Sequence, residues 1–115
     1  MIANTVFPVK DPEEVLDLTF DETDRLEGST IVEGSPSLTI VSASGDPSPE
    51  MLSGDPVIAD GLVVQRVVGG LPGTYGLRLS FDTEDGRHLV EVGYLPVRIL
   101  GYVAINPDPT PAPAP

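Results

Sequence analysis

Almost every side chain here that could do chemistry is a carboxylate. Eighteen aspartates and glutamates stand against six lysines and arginines and one histidine, giving a net charge of −12, and cysteine is absent. A nucleophilic triad needs a histidine beside the nucleophile and an acid to orient it. The single histidine, His88, sits next to a turn signal and reads as an exposed structural residue. Paired acids can hydrolyse glycosides, but the acids on strand-like segments alternate outward, as on a solvated face. Residues 82–86 (DTEDG) begin like a calcium loop. They lack an acid at every second position, and Gly93 stands where the closing glutamate belongs. Residues 21–24 (DETD) read the same way, as a turn with acidic shoulders. Gly69, Gly70 and Gly73 are followed by neither a lysine nor a helix, so they form no phosphate loop. The sequence therefore reads as a non-enzymatic protein with no cofactor and no metal.

Charge narrows the partners. A net −12 repels phosphate backbones, and the basic residues Lys10, Arg25, Arg66, Arg78, Arg87 and Arg98 are scattered rather than clustered. Nucleic acid is not an expected partner. No apolar run approaches the roughly 20 residues of a membrane helix. The opening MIANTVFPVK lacks the basic start and long apolar stretch of a secretory signal, so no membrane or export address is expected.

The elements that position these residues are short strands. Residues 74–97 read as a hairpin turning at Asp85-Gly86, a pair suited to a two-residue type I′ loop. Counting outward pairs Phe81 with Val90, Leu79 with Val92 and Leu77 with Tyr94 on one face, and sets His88 opposite Thr83. Arg78, Ser80, Asp82 and Glu91 then share the polar face. Alternation places Leu16, Leu18 and Phe20 inward from one strand, and Leu38 and Ile40 from another. A short strand is expected at 30–33, another at 62–68, and a brief edge strand at 57–58. Residues 44–56, rich in proline and glycine, read as a long surface loop. Residues 21–29 are polar, with Leu26 as their one apolar anchor.

Six to eight strands spaced about 8–12 residues apart, with no convincing helix, predict an all-β, immunoglobulin-like antiparallel β-sandwich over residues 11–100. An extended N-terminal arm, residues 1–10, precedes it, with Pro8 confining any pairing to a sheet edge. Residues 101–115 form an extension and a Pro-rich tail. Five prolines in the last ten residues favour polyproline II over any ladder.

Two sets of residues resemble a known family. One is the start, Phe7-x-x-Lys10-Asp11-Pro12-x-x-Val15-Leu16-Asp17. The other is the hairpin, Gly70-x-x-Gly73-x-Tyr75, then Thr83-x-x-Gly86-Arg87, then Leu95-x-Val97. Together they are similar to the fiber-tail adaptor proteins of tailed bacteriophages, across residues 7–97. Leu18 stands where that family usually has tyrosine, and Glu22 and Arg25 where it has tryptophans. The resemblance implies a virion structural protein assembled in the host cytoplasm. It would stand in several copies in a ring, joining fibers or other components to the tail or head-tail connector. A capsid decoration protein and a soluble immunoglobulin-like binding module are the competing readings.

The expected partner contacts are Val6 and Phe7 in the arm, and Ile99, Leu100, Tyr102, Val103 and Ile105 after the hairpin. Either segment could add a strand to a neighbour's sheet edge, or simply complete this domain's own sheets. On the first reading, removing residues 1–9, or all residues after Leu100, leaves a folded sandwich that cannot assemble.

Overall fold

A computed structural model describes residues 5–101. Seven strands form two sheets. In chain order they are β1 (Thr5–Val6), β2 (Leu16–Asp21), β3 (Ser37–Val41), β4 (Leu52–Ala59), β5 (Leu62–Val67), β6 (Gly73–Asp82) and β7 (His88–Val97). One sheet has the order β1-β7-β6-β3 and the other β2-β5-β4. The alternating strands bury one face each: Leu18 and Phe20 from β2, Leu38 and Ile40 from β3, and Leu77, Leu79 and Phe81 from β6 lie in the common core. The expected β-sandwich is the observed architecture.

The hairpin register differs from expectation by one residue. The Thr83 amide pairs with the Arg87 carbonyl (2.9 Å), and the Gly86 amide donates to the Thr83 carbonyl (3.1 Å). Residues 84–86 are therefore the loop, three residues rather than two, with Gly86 left-handed at φ 92°. A three-residue loop ending in a left-handed glycine is the usual alternative to the two-residue turn. It is chosen here by side chains: Thr83 Oγ1 accepts from the Arg87 amide (2.9 Å), and the Arg87 guanidinium donates to the Arg25 and Leu26 carbonyls (3.0 and 2.8 Å).

Phe81 consequently opposes Leu89, Leu79 opposes Glu91, and Leu77 opposes Gly93. Such a slip turns the whole strand over. Glu91, Gly93, Leu95 and Val97 of β7 face the core, while Val90, Val92 and Tyr94 face out. His88 opposes Asp82, not Thr83, with Nδ1 2.7 Å from its carboxylate. The inward Gly93 is required by its neighbours: a Cβ there would lie 2.8 Å from the Phe7 ring and 3.3 Å from that of Phe20.

Three local expectations also change. Residues 44–56 are not all loop. A 3₁₀ turn, Pro49–Met51, buries Met51, and β4 begins directly after it, pairing Leu52 with Val67 before a bulge between Ser53 and Val57. Buried Gln65 stitches that bulge by donating to the Gly54 carbonyl (3.1 Å). Residues 30–33 form only a bridge, Ile31 to Thr83, rather than a strand. A single helical turn, α1 (Thr23–Leu26), plugs the sandwich with Leu26.

The described part of the arm belongs to the sheet. β1 runs parallel to β7 at the sheet edge, Thr5 beside Gly93 and Val6 beside Tyr94. Phe7 is buried, its ring edge-on to Phe20 with centroids 5.2 Å apart.

Candidate functional site

Three polar or exposed features stand out, each set by a different part of the chain. The first is at the end where the arm meets the hairpin. Lys10 is fully buried, and its Nζ donates to the Gly69 carbonyl (2.7 Å) and the Asp11 carbonyl (2.9 Å). Desolvation holds its pKa below the ordinary lysine value, against the opposing pull of Glu14 and Asp11. The Asp11 carboxylate accepts from the amides of Glu13 (2.8 Å) and Leu100 (2.8 Å), which keep it below the usual carboxylate range. Tyr75 Oη accepts from the Leu71 amide (2.9 Å). The Lys-Asp-Pro start and the Gly-Gly turn are thus one structural clamp, and it sets where the chain leaves the domain. Lys10→Met keeps an unbranched side chain but removes the ammonium donor and orphans the Gly69 carbonyl, whereas the Asp11 carbonyl keeps the Glu14 amide (2.9 Å). We expect it to cost about 2 kcal/mol in urea denaturation, the range for losing hydrogen bonds from a charged donor.

The second feature is a buried polar cluster beneath α1. Glu22 is 1% exposed, and its Oε1 has no hydrogen-bond partner. Arg25 Nη1 donates to the Val90 carbonyl (2.7 Å) and to Glu91 (3.1 Å), and stands 3.9 Å from Glu22. Burial first, and then the Glu91 charge, push the Glu22 pKa up to about 7. Glu91 itself is buried, contrary to the expectation that strand-borne acids all point outward. The one-residue slip of β7 put it inside.

The remaining acidic motifs are used locally. Asp85 accepts from Thr83 Oγ1 and from Arg87 Nε, and Arg87 chiefly lowers its pKa. Asp21 accepts from the Thr23 amide at 3.0 Å. Asp17 pairs with Arg66 at 2.9 Å on the outer face of the second sheet. Among the described residues, no three of the His, Asp and Glu side chains stand close enough to hold a metal ion.

The third feature is the outer face of the four-stranded sheet. Val6 lies beside Tyr94, Tyr94 opposite Gly76, and Gly76 opposite Val41, so the glycine leaves a notch between two side chains. The next row is Val92, Arg78 and Thr39, and the next Val90, Ser80 and Ser37. From Val41 to Ser37 and from Thr74 to Ser80 these rows carry no acid. Arg78 makes no ion pair among the described residues. Val6 is 71% exposed and Tyr94 39%.

Of the residues expected to contact a partner, the structure exposes Val6, Ile99 and Leu100. It places Phe7 instead in the domain's own core, because Gly93 leaves room for its ring. Tyr102, Val103 and Ile105 lie outside the described residues. The outer face of β7 was not anticipated, since the two-residue turn would have buried Val90, Val92 and Tyr94. Thr83, a side-chain acceptor just before the turn, is the signal that could have revealed it.

Together, these features define a small β-sandwich scaffold with a clamped exit and a sheet face whose central rows carry no acid. The profile of the podophage GP4 fiber-tail adaptor protein gp77 family matches residues 10–96. The chain belongs to that family, whose role is structural, in the phage tail. The matched range contains both halves of the Lys10 clamp. No curated protein matches the chain in sequence. Among solved structures, it is similar to CopC from Methylosinus trichosporium OB3b at 14% identity and a TM-score of 0.54, covering 90% of this chain and 91% of that one. That likeness is one of fold. Glu22 and Arg25 belong to the polar cluster beneath α1, with Glu22 fully inside.

Proposed function

We propose that this protein is a virion adaptor that attaches fibers or other components to the phage tail or head-tail connector, in several copies arranged as a ring. The family match over residues 10–96 is the observation that carries this reading. The physical features support it. Buried Lys10 and Gln65 hydrogen-bond within the fold, while apolar side chains at Val6, Tyr94, Ile99 and Leu100 are left exposed. Leu71, 75% exposed, adds to them at the turn beside the clamp. Isolated exposed apolar residues are ordinary, but several on one sheet face and its adjoining end suit contact with other proteins. The partners on this reading are other tail, connector or fiber proteins, and the localisation is the virion.

Copy number tests it. Quantitative mass spectrometry of purified particles, referenced to the portal and major capsid proteins, should give a count fitting one closed ring, about six or twelve. Hundreds of copies would place the protein on the head, and absence from particles would exclude a virion role. Either result overturns the proposal.

A further inference from the structure

The outer face of the four-stranded sheet is an anomaly of charge. In a chain with eighteen acids, its central rows carry none, and their one formal charge is Arg78. The fourteen residues after Gly101, YVAINPDPTPAPAP, have the complementary pattern. They begin with four apolar residues, and their only charged side chain is Asp108. Prolines flank Asp108 on both sides and favour an extended backbone. At about 3.1 Å per residue, Tyr102 to Asp108 spans roughly 19 Å. That is enough to cross a four-stranded face, whose neighbouring strands lie about 4.8 Å apart.

The exit of the chain selects whose face is covered. β7 runs towards Val97, and the next residues are held beyond the end of the sheet. The Arg98 amide donates to the Lys10 carbonyl (2.9 Å), and the Leu100 amide to Asp11 (2.8 Å). The described chain therefore ends past the end of its own sheet. We infer that residues 102–108 of one copy dock on the outer sheet face of a second copy, with the Tyr102–Ile105 stretch against Val6, Val92 and Tyr94 and Asp108 against Arg78. A contact of this kind is head-to-tail, and head-to-tail contacts close into rings when the rotation permits. The inference goes beyond the adaptor reading and rests on it only for the ring.

Sedimentation of the full chain over a concentration series tests the contact. The unaltered protein should self-associate. Arg78→Asp and Asp108→Arg should each weaken association at least tenfold, about 1.4 kcal/mol. Mixed in equal amounts, these two variants should associate again, because each tail then meets a face of opposite charge. Tyr94→Ser should weaken association without moving the melting temperature, which keeps the test independent of any folding defect in the charge variants. Three results overturn the inference. One is a protein that stays monomeric up to about 1 mM. Another is a mixture no better than its components. The third is a monomer whose Val92 and Tyr94 amide signals shift when the chain is cut after Gly101, which would put the tail on its own face. A chain that is present in particles at ring stoichiometry yet fails these tests leaves the adaptor reading standing.

Discussion

Glu22→Gln is expected to stabilise the protein at pH 8 by up to about 3 kcal/mol and to have little effect near pH 4.5. Glu22 is 1% exposed and has an unpartnered Oε1. The nearest cation, Arg25, already serves Glu91 and the Val90 carbonyl. A buried charge without good hydrogen bonds does not recover its desolvation cost. Its folded pKa is about 7, against 4.5 for the free side chain. Between those values the folded state holds more protons than the unfolded one, so stability falls as pH rises through that window. The penalty is absent below about 4.5 and complete above about 7.

The acids with lowered values, Asp11, Asp17, Asp21 and Asp85, act in the opposite direction. Their contribution is present above the ordinary aspartate range and is lost as pH falls below it. The unaltered chain should therefore be most stable near pH 4.5–5. Urea denaturation of both chains at pH 5 and pH 8 checks this. General repulsion among the acids is common to the two chains, so their difference isolates Glu22. An equal difference at both pH values would show that Glu22 does not titrate as described.

The sandwich was legible in the sequence wherever the signal was local. Alternation in β2 and β3 put Leu18, Phe20, Leu38 and Ile40 inside, because period two needs no knowledge of the partner strand. What could not be read depended on distant contacts. Asp85-Gly86 marks a turn, but the loop length was fixed by Thr83 and by Arg87 reaching the carbonyls of α1, some sixty residues earlier. That single residue of register moved Glu91 into the core and exposed Val92 and Tyr94. Residues 52–56 read as loop because their glycine and proline mask a bulged strand whose pairing with β5 is held by Gln65. Lys10 illustrates the same limit. A lysine is ordinarily a surface residue, and its burial depends in part on the Gly69 carbonyl, which lies far along the chain.

The arm and the tail should respond in opposite ways to removal, although the sequence treats them alike. Phe7 is 7% exposed, packs edge-on to Phe20, and occupies the space left by Gly93. Phe7→Ala should cost about 3–5 kcal/mol, the usual loss for a buried phenylalanine. Deleting residues 1–9 should do more, because it also removes the β1 pairing and the bond from the Phe7 amide to the Tyr94 carbonyl (2.9 Å). Small domains have only about 5–15 kcal/mol in total, so the shortened chain should be largely unfolded at 37 °C. Cutting after Gly101 leaves Lys10, Asp11 and the bonded Leu100 amide intact, and should move the melting temperature by no more than a few degrees. Circular dichroism melts of the two truncations distinguish the cases directly. An arm deletion that melts like the full chain would mean Phe7 is dispensable to the core, and would return the arm to the role of a donated strand. The expected loss of folding instead makes the arm part of the scaffold.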